Sequence, residues 1–236
     1  VPTGQAAALG AAMLMSKEVR GIGFFRSAWY LPSVLAGVGI AVLWQWVFDG
    51  RLGLFNTALK PLLDMMNAIA RWINPNDPLF TLSAPEWFGA DADTFGVPAF
   101  AIMSLWSIGG GMIIYLAGLN AIPKSLYEAA EIDGAGRWKR FLHVTIPMLS
   151  PVIFFNFVIA IIASFQVFTQ AYVMTQGGPG DSTRFYVLYL YNKAFETHEM
   201  GYASAMAWIL FVIVLACTLI VMRGSRNRIH YEGMRI

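Results

Sequence analysis

Residues Tyr202–Met222 read YASAMAWILFVIVLACTLIVM, an unbroken apolar run without Asp, Glu, Lys, Arg or His. A helix of ~20 such residues crosses the ~30 Å hydrocarbon core of a bilayer, so the stretch predicts a transmembrane span. Three further stretches share its length and its lack of charge: Ala28–Phe48, Pro98–Leu119 and Met148–Thr175. A fifth apolar segment, Ala6–Met15, is too short to cross and lacks the basic leader and cleavage site of a signal peptide. Because the chain opens on Val1 within that segment, the expectation is a partial span in an N-terminally truncated sequence.

Composition supports the same class. Hydrophobic residues make up 57% and charged residues 13% of the 236, and mean hydropathy is +0.57. Soluble domains are about half apolar and a quarter charged. A net charge of +2, with no basic stretch interleaved with aromatics, gives no footprint for nucleic acid. The single Cys217 lies inside the last span, which excludes an internal disulfide or a CxxC site; it reads as a small hydrophobe. The fold class that follows is an all-α integral membrane protein, a multi-span helical bundle.

Charge placement orients the bundle. With Ser16–Ser27 on the cytoplasmic side, the inside segments hold Lys17, Arg20, Arg26, Lys124, Arg137, Lys139, Arg140, Arg223, Arg226, Arg228 and Arg235. The outside segments hold Arg51, Lys60, Arg71, Arg184 and Lys193. Eleven of the 16 Lys and Arg therefore lie inside, five acidic residues (Glu18, Glu128, Glu131, Asp133, Glu232) with them, and the C-terminus is expected in the cytoplasm. The outer segments are then 49–97 and 176–201. The first contains Pro61, Pro75, Pro78, Pro85, Trp72 and Trp87, with helical spacing of apolar residues over Ala58–Ile73 that predicts an amphipathic helix near the membrane surface. The second opens on the breaker run Gly177-Gly178-Pro179-Gly180.

The cytoplasmic segment 120–147 is more than a turn. Pro123 sits near a helix entry, and Ser125-Leu126-Tyr127-Glu128 fits a capping box with Ser125 as N-cap and Glu128 at N3. Asp133-Gly134 reads as a helix end, with Gly134 in the left-handed region. A second short helix is predicted over about Arg137–Val144, ending before Pro147. Two short helices of this kind form a rigid knob with small side chains at Ala129 and Ala130.

The string from Glu128 to Pro151, EAAEIDGAGRWKRFLHVTIPMLSP, resembles the EAA loop of ATP-binding-cassette importer permeases, the MetI-like family with the type I importer permease fold. The resemblance implies that this loop docks on an ATPase subunit and transmits its closure, with Glu128, Ala129, Ala130, Asp133, Gly134, Ile146 and Pro147 as the coupling residues. Glu128 has two readings, a helix cap or a contact to a basic group on the partner. An ordinary capped helix-turn-helix explains Ser125, Glu128 and Gly134 locally, but not Asp133, Ile146 and Pro147 at these spacings. Leu31-Pro32-Ser33-Val34, Trp44–Asp49, Gly53–Asn56, Ser164–Phe168, Met174–Pro179, Tyr189, Ala194-Phe195 and Gly201–Ala205 are similar to the F-type subunit of maltose-like importers, the carbohydrate branch. The sequence departs from that pattern in its missing upstream helices and in a longer outer loop around Lys60–Asp93.

The resemblance further implies a second, G-type permease subunit, an ATPase dimer carrying ATP and Mg²⁺, and an extracytoplasmic substrate-binding protein as partners. It also implies a multi-pass location in the cytoplasmic membrane of a bacterium or archaeon, with no cofactor or metal on this chain. It places a substrate path on the helices before and after the loop: Ser104, Ser107 and Gly111 on one, Ser164, Gln166 and Gln170 on the other. By spacing, Ser104, Ser107 and Gly111 share one helical face, and Gln166 and Gln170 share another. Hydroxyl-rich sugars suit such a lining, although Ser and Gln also bond helix to helix in membranes. Gly109-Gly110-Gly111 serves either close packing or a helix break beside the path. A gradient-driven carrier would need ionisable groups in the spans, which have none. A plain membrane anchor leaves the loop without a purpose. The rival substrate to a sugar is a polyol or glycerol-phosphate.

Overall fold

The computed structural model describes residues 1–17, 20–35, 37–73 and 83–225, and these form helices, turns and no strands. Glu18, Pro75, Pro78 and the tail residues Arg226, Arg228, Glu232 and Arg235, used above for orientation and loop composition, lie outside the described residues. The chain divides into two compact units, 1–34 with 104–166 and 193–236, and 35–103 with 167–192.

The first unit is built on α1 (Pro2–Met15), α2 (Ile22–Val34), α6 (Gly109–Ala121) and α9 (Ile146–Phe165). Its core sets Ala8, Ala11 and Ala12 of α1 against Met112, Tyr115 and Leu116 of α6, with Ile122 and Leu149 beside them. Three alanines on one face let the helix axes approach closely, which is how helices associate where lipid removes the hydrophobic incentive. Backbone approach is closest where α6 begins: a Cβ on Gly109 would stand 2.2 Å from the Trp29 carbonyl oxygen and 2.8 Å from the Tyr30 Cα of α2. Gly109 therefore serves close packing, and it also opens α6 directly after a break. Arg26 on α2 donates from Nε and Nη2 to the Met15 carbonyl at 3.2 and 2.7 Å, satisfying a free carbonyl at the end of α1. The long α12 (Met200–Ser225) packs on α9 and exposes most of its apolar surface, including Trp208 and Ile220.

In the second unit, α3 (Gly37–Val47) leads through a turn into α4 (Leu54–Ile73), and the chain returns through α5 (Ala92–Trp106, whose last three residues belong to the first unit). The unit also holds α10 (Thr169–Met174), packed on α3, and the short α11 (Tyr186–Tyr191). Its centre is an aromatic knot. Phe48 is buried with ring centroids 5.1–5.7 Å from Trp44, Phe55, Trp87 and Phe88. Buried Asn56 donates to the carbonyls of Gly50 and Pro85, each at 3.0 Å, and accepts from Trp87 Nε1 at 2.8 Å. A polar group in this setting is stable only because its bonds are made. In the α3–α4 turn the Asp49 carboxylate accepts from the backbone N–H groups of Leu52 and Arg51, which hold its pKa below the usual aspartate value.

Several boundaries differ from the sequence-based expectations. Among the described residues, two helical stretches, Arg137–Met174 and Met200–Ser225, are long and apolar enough to cross a membrane alone, and up to four spans result if each broken helix pair counts as one. The stretch 98–119 is interrupted at Ser107-Ile108 between α5 and α6, and 148–175 is interrupted at residues 166–168 between α9 and α10. The amphipathic helix of the outer segment begins at Leu54, four residues earlier than its apolar spacing indicates, and runs through Pro61.

Candidate functional site

The segment between α6 and α9 folds as two limbs. Helix α7 (Lys124–Ile132) begins after Pro123, which is its N-cap at φ −59° and ψ 131°, and no side chain caps it. The expected capping box is therefore corrected: Ser125 lies in the first turn, and Glu128 is exposed one turn further on, beyond N3. Proline fixes φ near −65°, and here it sets the N-cap two residues ahead of the hydroxyl that sequence spacing favours.

At its other end α7 closes as the Asp133-Gly134 pair indicates. Gly134 has φ +73°, its N–H donates to the Glu131 carbonyl at 3.0 Å, and the Ala135 N–H donates to the Ala130 carbonyl at 2.9 Å. These two bonds make a Schellman motif. The second limb starts at α8 (Arg137–Arg140) and passes through a π-helical turn, Phe141–Thr145, where the Ile146 N–H reaches back to the Phe141 carbonyl. It continues into α9 without stopping before Pro147, contrary to the expected short helix. A proline ring presses on the carbonyl four residues back and supplies no N–H; the wider π turn gives it room.

Two side-chain contacts brace the limbs. Tyr127 Oη lies 3.0 Å from Thr145 Oγ1, and Arg140 Nη1 donates to Glu131 Oε2 at 3.1 Å. The ion pair is at the surface and so contributes little by itself. The hydroxyl pair is more sheltered, Thr145 being buried and Tyr127 half-buried. Ala129, Asp133 and Gly134 are exposed, Ala130 is half-buried, and Ile146 and Pro147 are half-buried at the head of α9. The loop also displays large apolar side chains: Ile132 is 87% and Trp138 74% exposed. Sequence reasoning did not single these out, although bulky apolar residues set directly beside charges, Ile132 between Glu131 and Asp133 and Trp138 between Arg137 and Lys139, were the available signal.

The predicted path residues are arranged differently from a pair of continuous faces. Ser104 is exposed on α5, Ser107 is exposed in the break after it, and Gly111 is half-buried on α6, so the three do not share one helix. Gly111 turns toward α1, where an added Cβ would lie 3.5 Å from the Ala8 methyl. Ser164 is exposed on α9 with its hydroxyl donated to the Ile161 carbonyl at 2.7 Å, and exposed Gln166 ends that helix. Gln170 is half-buried on α10 in the second unit. The breaks at 107–108 and 166–168 place polar side chains beside unwound backbone, the kind of element that lines substrate sites in transporters.

A polar clasp inside the first unit went unnoticed in the sequence. Tyr115 Oη donates to Gln5 Oε1 in a short bond, Gln5 Nε2 donates to the Asn156 carbonyl at 3.2 Å, and Asn156 Nδ2 reaches the Gly111 carbonyl at 3.5 Å. It joins α1, α6 and α9, so the helix that leaves the braced loop is bonded directly to two neighbours. Lone polar residues in apolar runs were its only sequence mark.

Residues 6–229 match the family described as the binding-protein-dependent transport system inner membrane component. The chain belongs to that family. It is 40% identical over 236 residues to the probable ABC transporter permease protein YesP of Bacillus subtilis, covering 99% of this chain and 70% of that one. The sulfoquinovosyl glycerol transport system permease protein SmoG of Agrobacterium fabrum is 31% identical, with 85% of this chain and 58% of SmoG covered. The sn-glycerol-3-phosphate transport system permease protein UgpA of the same organism is 32% identical over 94% of this chain and 71% of its own length. Among solved structures, a chain of a bacterial ABC transporter that imports alginate superposes with a TM-score of 0.75 at 21% identity, covering 94% of this chain and 72% of that one. The permease is the non-catalytic membrane part of such a transport complex, and membership replaces the gradient-driven alternative.

Proposed function

We propose that this permease forms, with a second permease subunit, the membrane path of an ATP-driven, binding-protein-dependent importer for a sugar or oligosaccharide. Coupling to the ATPase runs through the loop Lys124–Thr145. The observation that carries the coupling reading is the braced loop itself, closed at Gly134, tied by Tyr127 to Thr145 and presenting exposed Ile132 and Trp138. An element that transmits force needs this rigidity, and bulky apolar groups left in water between charged neighbours suit burial in a partner's cleft. Glu128, Ala129, Ala130, Asp133 and Gly134 form the docking surface, and Ile146 and Pro147 carry the motion into α9. ATP and Mg²⁺ belong to the ATPase partners. The C-terminus lies in the cytoplasm with the loop, in keeping with the Lys and Arg excess on that side.

For the substrate, support comes from the transport systems of similar permeases and from the chemistry of the path. Ser104, Ser107, Ser164, Gln166 and Gln170 offer neutral donors and acceptors, and Phe168 and Tyr172 offer stacked rings with centroids 5.4 Å apart. The similarity to UgpA favours a second reading, a glycerol-phosphate. A phosphate dianion calls for Arg or Lys, and the four apolar stretches contain neither. The deciding experiment measures ATP-driven uptake into proteoliposomes carrying the complex and its binding protein, with labelled oligosaccharides and sn-glycerol-3-phosphate in parallel. Saturable uptake of a neutral sugar supports the proposal; uptake of the phosphate alone rejects it for the second reading.

A further inference from the structure

Helix α4 carries three stripes. At 100° per residue, Asn56, Leu59 and Leu63 turn inward, Asn56 buried and the leucines half-buried. Thr57, Lys60 and Asp64 make an exposed polar stripe. Between these lies an exposed apolar stripe of Leu62, Met65, Met66, Ile69 and Trp72, from 44% to 86% accessible. A soluble helix keeps its largest apolar residues on the packed side; this one leaves most of them out.

The surroundings of α4 identify what covers them. Its first turn is fixed to the end of α3: Phe55 packs at a tilt against Phe48, Asn56 bonds Trp87 and Gly50, and the Asp49 turn closes the six residues between the helices. Helix α3 is uncharged throughout and exposes Val38, Val42 and Trp46 along one face. In a chain of an inner-membrane family, such a face meets hydrocarbon, and the first charged residue beyond it, Asp49, marks the level where water begins. Helix α4 starts at that level with its apolar stripe exposed. We propose that α4 lies along the membrane surface with this stripe sunk into the acyl chains of the adjacent leaflet and Lys60 and Asp64 toward water. Its partner is lipid, and the aromatic knot behind it is thereby seated on the bilayer. Trp72, 86% exposed, is an interfacial ring of the kind that collects at the head-group level.

The test uses single cysteines at Met65, Ile69, Thr57 and Asp64 in a Cys217→Ala background, each carrying a nitroxide. The full chain is assembled in its transporter in phosphatidylethanolamine–phosphatidylglycerol liposomes, and collision rates with oxygen and with a water-soluble nickel chelate are measured. All four positions are exposed, so labelling leaves the packing intact. Labels at 65 and 69 are expected to favour oxygen over nickel several-fold more than labels at 57 and 64. Equal nickel access at all four would put the stripe in water and overturn the proposal. So would shielding of 65 and 69 from both reagents, which would mean that a protein subunit covers the stripe. The readout needs neither substrate nor ATP, so it stands or falls apart from the transport reading.

Discussion

The Tyr127 hydroxyl stands 3.0 Å from the Thr145 hydroxyl across 18 residues of chain, joining the first limb of the loop to the π turn that feeds α9. A bond of this kind contributes about 0.5–1.5 kcal/mol net. Tyr127→Phe and Thr145→Val should each loosen the loop by about that amount, and the double variant should cost little more than either single one. Transport per ATP hydrolysed, measured in proteoliposomes, should fall in all three while membrane insertion is unchanged. Additive losses would mean that the two hydroxyls act separately.

Gly134 has φ +73°, and a Cβ added there would find nothing within 4 Å. A Cβ at 134 thus meets no clash, and the backbone strain of Gly134→Val costs roughly 1–2 kcal/mol. Insertion and assembly should survive while ATP-driven uptake is lost; Gly134→Asn, which tolerates the left-handed region, should retain much of it. Normal uptake by the valine variant would remove Gly134 from the coupling role.

Gly109 and Gly110 are adjacent but differ in environment. An added Cβ at 109 runs into the Trp29 carbonyl, whereas at 110 it meets open space. Gly109→Ala should lower stability by about 1–3 kcal/mol or more, in the range of core overpacking. Gly110→Ala should be nearly neutral. Thermal unfolding in detergent compares the two, and equal melting temperatures would contradict the close approach of α2 and α6.

The Gln5–Tyr115–Asn156 clasp acts as a packing device. Tyr115→Phe should cost about 0.6 kcal/mol and at most ~1.7, the range for interhelical bonds in membranes, with the apparent KM for substrate unchanged. A raised KM at unaltered stability would instead place the clasp in the substrate path.

The sequence declared what depends on composition and local geometry. Uncharged runs announced the apolar helices, and Asp133-Gly134 announced the end of α7, because a left-handed residue is a local requirement. Gly109-Gly110-Gly111 marked a break near the start of α6 without placing it at Ser107-Ile108, and the break at residues 166–168 was illegible, since the flanking residues remain largely apolar. The capping box failed because Pro123, with its fixed φ, offered an earlier start than Ser125. The bonds of Asn56 to Trp87 and of Gln5 to Tyr115 join residues 31 and 110 positions apart, and no local pattern records such pairings. Ser104, Ser107, Gly111, Ser164, Gln166 and Gln170 were legible as polar residues in apolar runs, but their faces were not, because the helices carrying them are interrupted.

The coupling role of the loop Lys124–Thr145 is tested most directly by binding-protein-stimulated ATP hydrolysis in proteoliposomes, comparing the native chain with Ile132→Glu and Trp138→Glu. Both side chains are exposed in the free loop, so neither substitution disturbs the fold, yet each puts a charge where an apolar group should enter the partner. Stimulation should be lost, and the ATPase subunits should no longer copurify with the permease. Full stimulation and intact copurification in both variants would contradict the coupling role.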